Sequence, residues 1–152
     1  MGADEGIREA VGQVPVPDLG DPPAVTAPPL ADARVAIVTT AGLRPADDVT
    51  LWQTTDASFT VLPGEARDLR ISHFSPNFDR AAFAADINTV YPVDRLAELA
   101  EQGVIGSVAS RHLSFMGAQA DASFTAMRLE SGPAAAEILR RDGVDVVLLT
   151  PV

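Results

Sequence analysis

Two histidines, His73 and His112, are the only side chains of this sequence whose ordinary charge change falls near neutral pH. Each sits in polar company, in Ser72-His73-Phe74-Ser75 and in Ser110-Arg111-His112-Leu113-Ser114. An imidazole so placed can serve as general acid or base. Arg111 carries a planar fork that grips a substrate carboxylate in bidentate fashion. Ser72, Ser75, Ser114 and Thr40 supply hydroxyls that orient a small polar ligand. Plainer roles compete with these. A histidine after a strand often serves as a loop hydrogen-bonding residue, and Arg111 has 21 Asp and Glu residues among which to find an ion pair.

Other chemistries are excluded by what the sequence lacks. With no cysteine, the chain holds no disulfide, thiol nucleophile or cysteine-ligated zinc or iron–sulfur site. Two histidines cannot make a three-histidine metal centre. Asp79, Asp86 and Asn88 lie near one another in sequence but lack a ligand-spaced Glu, and helix capping accounts for Asp86 and Asn88. We therefore expect no metal. Gly103-Val-Ile-Gly106 reads as a helix-to-strand turn, and neither dinucleotide nor P-loop patterns occur. A formal charge of −10, with no local basic patch, repels phosphate backbones and argues against nucleic acid. No apolar run approaches the ~20 residues that span a bilayer, and the acidic start is unlike a signal peptide. The expectation is a soluble, cytoplasmic protein without a membrane partner.

The elements that must position these residues follow from periodicity. Six of the 12 prolines fall between Pro15 and Pro29, which predicts an extended arm over residues 1–32. Such an arm wraps its own domain or a neighbour, or is read by an aromatic-lined groove. From Ala33 the pattern changes to a single domain over residues 33–152. Arg34-Val-Ala-Ile-Val-Thr-Thr40 is a nearly continuous apolar run, the signature of a buried parallel strand. Phe59–Leu62, Leu69–His73, Val104–Ala109 and Val144–Thr150 read as further strands. Tyr91–Gly103 is the clearest helix, with Pro92 and Asp94 at its start, Val93, Leu96, Leu99 and Ala100 on one face, and Gly103 as its C-terminal cap. Phe124–Glu130 and Pro133–Arg141 are helical, and Gly143 ends the second. This order predicts an α/β fold, a three-layer sandwich with a mostly parallel, Rossmann-like sheet. Ligands of such sheets bind beyond the carboxyl ends of the strands. Both histidines should then stand on one rim, together with Thr40, Ser114 and the Thr150-Pro151-Val152 terminus.

Read in order, Ser58-Phe-Thr-Val-Leu-Pro-Gly64, Ser72-His-Phe-Ser75, Asp86-Ile-Asn88, Tyr91-Pro-Val-Asp-Arg-Leu96, Gly103-Val-Ile-Gly106 and Ser114-Phe-Met-Gly117 form an ordered set. That set resembles the selenoprotein subunit of D-proline reductase and is similar to selenoprotein B of glycine, sarcosine and betaine reductases. The resemblance covers most of the chain from Ala33 and runs through Gly143–Thr150. It implies reductive cleavage of a carbon–nitrogen bond in an amino acid or an N-methylated relative. It also implies a selenocysteine or cysteine immediately after the strand matching Val144–Thr150, and a partner subunit whose processing generates a pyruvoyl group that binds the substrate amine.

Here Thr150-Pro151-Val152 stands where that redox residue should come next. The expectation is a companion chain, made by cleavage or gene splitting after Val152, that brings the Cys, Sec or pyruvoyl group in a hetero-oligomer; truncation is the competing explanation. His73 and His112 are the expected catalytic residues. Arg111, Ser72, Ser75, Ser114 and Thr40 are the expected contacts to a small amino-acid-like substrate, and Thr150, Pro151 and Val152 the junction. Two alternatives stand beside this one: a non-catalytic binding or assembly subunit, and a specialised-metabolism enzyme that uses the scaffold on another bond.

Overall fold

A computed structural model describes residues 25–152 other than 77, 79 and 120, with a few positions before them (5, 6, 9, 12, 13, 20 and 21). Most of the expected proline-rich arm, and the positions of Asn77 and Asp79, lie outside the described residues. Val25–Pro29 has no regular structure, and Leu30–Asp32 forms a short 3-10 turn leading into the domain.

The chain is α/β. Strand β1 (Arg34–Thr39) is the centre of a mixed sheet, because its Val-Ala-Ile-Val core is apolar on both faces. Strand β7 (Val146–Thr150) lies parallel to β1 along one edge, from Val35 opposite Val146 to Thr39 opposite Thr150. The other edge of β1 takes two short strands in succession, β5 (Ser107–Val108) and β6 (Arg111–Phe115), both parallel to it. Strand β3 (Phe59–Pro63) closes that side antiparallel to β6. A separate antiparallel pair joins β2 (Leu43–Pro45) to β4 (Leu69–Ile71). The expectation of a mostly parallel sheet thus holds at its centre. The antiparallel β3 and the detached β2–β4 pair depart from the expected Rossmann-like order.

The expected strand Val104–Ala109 is corrected to β5 followed by β6. Val35 pairs with Val108, yet Val38 pairs with Leu113, so the neighbouring strand carries two extra residues over that interval. This is a bulge, and it moves Arg111 and His112 from the expected rim loop into the sheet itself.

Helix α1 (Arg80–Ala85) follows β4, and α2 (Val93–Glu101) precedes β5. Pro92 occupies the N-cap of α2. Asp86 and Asn88 are caps, as the spacing predicts. Asp86 Oδ1 accepts from Asn88 N–H at 2.9 Å, and Asn88 Oδ1 accepts from the Asp94 N–H at 3.0 Å. At the other end Gly103 has φ +69°, the left-handed conformation a C-terminal cap requires. Helix α3 (Asp121–Ala126) runs through a π-helical stretch, Met127–Ser131, into α4 (Gly132–Arg141).

Two cores form, one on each face of the sheet. Val35, Ile37, Leu43, Leu62 and Tyr91 pack with Val93 and Leu96 of α2. Ala36, Leu113 and Phe115 pack with Ala135 and Leu139 of α4. Each fully buried Leu or Ile contributes ~1.5–3 kcal/mol relative to exposure. Among the described residues no helix is long and apolar enough to cross a membrane.

Candidate active site

The carboxyl ends of β1, β6 and β7 meet at one rim of the sheet, where short polar side chains replace the apolar runs. Thr39 Oγ1 donates to the Val90 carbonyl at 2.8 Å, and Thr150 Oγ1 donates to the same oxygen at 3.0 Å. Thr40 then ties down the residue beyond β7. Its Oγ1 accepts from Val152 N–H at 2.9 Å and donates to the Val152 carbonyl at 3.3 Å. Gly117, just past β6, closes the clamp. A Cβ there would come within 2.8 Å of the Thr40 carbonyl oxygen and 3.0 Å of the Val152 carbonyl oxygen. Only glycine lets these three segments approach so closely.

This clamp forms one wall of a cavity of about 230 Å³ lined by Val152, Gly117, Ala118, His73, Ser75 and Phe78. His73 enters it from the segment after β4, which is tethered to the rim where Ser72 N–H donates to the Gly42 carbonyl at 3.0 Å. The imidazole of His73 is buried and stacks on Phe78, with ring centroids 4.6 Å apart. Its Nδ1 accepts from the Ser75 N–H at 3.2 Å. That bond places the ring proton on Nε2 in the neutral form. Nε2 is buried and has no hydrogen-bond partner. Burial, then the nearby Arg80 guanidinium, lowers the His73 pKa below that of an ordinary histidine. Arg80 itself is held beside the cavity, donating to the His73 carbonyl at 2.6 Å.

The structure does not bring the expected residues together as one group. His73, Ser75 and Val152 line the cavity, and Thr40 positions Val152. Ser72 lies beside His73 but directs its hydroxyl to the Thr50 carbonyl at 3.5 Å. Ser114 is fully buried and its Oγ accepts from the Leu43 N–H at 2.7 Å. His112 is fully buried in β6, not on the rim. Its Nδ1 accepts from the Ile37 N–H at 3.0 Å, filling the gap that the bulge leaves in the ladder. Its ring meets Tyr91 edge-on at 5.5 Å, and burial, with a smaller repulsion from Arg67, pushes its pKa down to about 4. Burial likewise raises the pKa of Tyr91.

Arg111 is also away from the expected rim, because it opens β6 and the cavity lies past the other end of that strand. Its guanidinium makes a two-pronged pair with Asp142 at the end of α4, with Nε to Oδ2 at 2.8 Å. The plainer expectation, an ion pair, describes this contact. Phe78, Arg80 and Gly117 shape the site but lay unweighted in the sequence, where Phe78 and Arg80 read as part of a loop. Their signal is a short aromatic–basic pair just after Ser72–Ser75.

With this geometry in place, comparison with known proteins assigns the class. The profile of the glycine/sarcosine/betaine reductase selenoprotein B family matches residues 11–152, and the chain belongs to that family. It is 37% identical over 134 residues to the D-proline reductase subunit gamma of Acetoanaerobium sticklandii, a match that covers 85% of this chain and 54% of the relative. The chain therefore spans about half the length of the curated relative it matches. No solved structure matches it significantly.

Proposed function

We propose that this chain is the substrate-positioning part of an oxidoreductase that reductively cleaves a carbon–nitrogen bond of an amino acid or related small molecule, as a subunit of a cytoplasmic hetero-oligomer. One observation carries this reading: Val152 and His73, whose buried Nε2 has no hydrogen-bond partner, line the same small cavity. The residues present fit a reactive thiolate or selenolate, because a buried N–H without an acceptor is costly unless an anion or polar ligand completes it. When bound beside Val152, a companion chain's Cys or Sec supplies the nucleophile for C–N cleavage, and a pyruvoyl group in the complex supplies the grip on the substrate amine.

The chain's own residues have defined tasks. Thr40 and Gly117 hold the Val152 backbone, which sets where the next reacting atom stands. His73, neutral at pH 7 when unloaded, donates from Nε2 and lowers the energy of the anion. A thiolate there raises the His73 pKa again, so the two groups titrate as a pair. Phe78 fixes the imidazole plane by stacking, and Ser75 fixes its tautomer. Arg80, which donates to the His73 and Ser75 carbonyls beside the cavity, is the nearby cation for a substrate carboxylate, and Arg111, engaged by Asp142, supports the fold.

The test is turnover by the complex purified from its source, with a thiol reductant and a panel of D-proline, glycine, sarcosine and betaine. Release of the C–N cleavage product from one of these, abolished by His73→Ala, supports the reading. Intact substrates throughout, with the complex folded and a Cys- or Sec-bearing companion present, overturn it.

A further inference from the structure

The strand that leads to the Val152 rim, β7, is also the least covered strand of the sheet. β7 is bonded to β1 along one edge, and no described strand pairs with its other edge. Its sequence is continuously apolar, which suits a strand covered on both faces. Yet Val147, Leu148 and Leu149 are 40%, 38% and 68% exposed, so both faces of the strand meet solvent. Beside β7 runs an apolar groove of about 410 Å³, walled by Val38, Phe115, Ala136, Leu139, Val144 and Val147. A free edge, a two-sided apolar strand and an adjoining groove form one continuous surface.

We infer that this surface docks the companion polypeptide, which adds a strand to the free edge of β7 and covers Val147 and Leu149 with a helix. The inference rests on the proposed function for the companion's existence and adds where it binds. Two observations select this occupant. Nearly half of the D-proline reductase subunit gamma has no counterpart in this chain, which is enough polypeptide for such a layer. A second copy fits poorly: each copy carries a formal charge of −10, and a β7-to-β7 pairing would leave Leu148 and Leu149 uncovered on their faces. With the strand and helix in place, the sheet becomes the central layer of a three-layer sandwich, and the companion's reactive residue is delivered next to Val152 by the same contact that covers β7.

The experiment uses the tagged chain isolated from its source cells as wild type, Leu149→Lys and Val104→Lys. Val104 is a control of similar character, 45% exposed on the turn after α2. Neither change touches a buried side chain, and circular dichroism confirms that each variant folds. A companion matching the uncovered part of the D-proline reductase subunit gamma, identified by mass spectrometry, should accompany wild type and Val104→Lys. Leu149→Lys should reduce it by about tenfold or more. Hydrogen exchange should show residues 146–150 more protected in the complex than in the isolated chain. A companion retained by Leu149→Lys, unprotected β7 amides in the complex, or self-association as the property Leu149→Lys removes would overturn the inference. Turnover on the same preparations separates the two claims: a companion docked on β7 without C–N cleavage refutes the proposed function alone. Cleavage with β7 unprotected refutes the docking alone.

Discussion

The two histidines occupy environments that match in one respect and diverge in the other. Each accepts a backbone N–H on Nδ1, from Ser75 in one case and Ile37 in the other. Each has a depressed pKa caused first by burial, and each leaves Nε2 without a partner. His112 sits inside the sheet against the edge of Tyr91, where its free nitrogen meets only the core. His73 sits at the rim, against a cavity that Val152 shares. Residue type and protonation state are therefore the same at both positions. What differs is the surroundings: His73 lines a cavity beside Val152, whereas His112 is enclosed by the sheet and Tyr91.

Substitution separates the two most sharply. His73→Ala in the assembled enzyme should lower kcat/KM by about 10²–10⁴-fold, with a stability loss in urea smaller than that of His112→Ala because the Ser75 N–H it orphans is only part-buried. His112→Ala should do the reverse, costing about 2–4 kcal/mol in urea unfolding because the Ile37 N–H loses its acceptor and a void remains. His112→Asn should return part of that loss, since a carboxamide oxygen can accept from Ile37.

The same residue sets a pH response. The folded pKa of His112 is about 4 against an ordinary 6.5, so the unfolded chain binds the proton first as pH falls. Stability from this group is complete above pH 6.5 and declines as pH drops toward 4, by about 3 kcal/mol. Denaturation curves across that window should decline more steeply in wild type than in His112→Asn, which keeps only the His73 contribution; equal slopes refute the assignment.

Gly117→Ala tests the rim from its other wall. Its Cβ would press on the Thr40 and Val152 carbonyl oxygens, displacing Val152. We expect kcat to fall about tenfold with the companion still bound. Arg111→Ala should have the smallest effect, with KM unchanged and a slight loss of stability measured by urea unfolding. A raised KM would restore Arg111 to the substrate.

Much of this arrangement is legible in sequence. The apolar runs at Arg34–Thr39 and Val146–Thr150, and the glycines at 103 and 143 with φ +69° and +67°, announce the strands and helix ends. β6 does not announce itself, because Arg-His-Leu-Ser-Phe resembles a polar loop. Each polar residue in it is satisfied by a distant partner: Arg111 by Asp142, His112 by Ile37 and Ser114 by Leu43. Local pattern cannot show such pairings. The same limit placed both histidines on one rim, since the two-residue bulge that draws His112 into the sheet leaves no local mark. At the site, Thr40 and Ser75 were legible as short polar residues after strands, whereas the stacking of Phe78 and the place of Arg80 depend on how the chain returns after β4.

The two threonine hydroxyls on the Val90 carbonyl have a mechanical consequence. They fasten the last residues of two neighbouring strands to the peptide that launches α2. Strand ends and helix start then shift as one body, like the fixed jaw of a vice. A molecule entering the cavity would meet a rigid surface at this wall, and tightening around it would be made by the opposing jaw, the segment that carries His73 and Phe78.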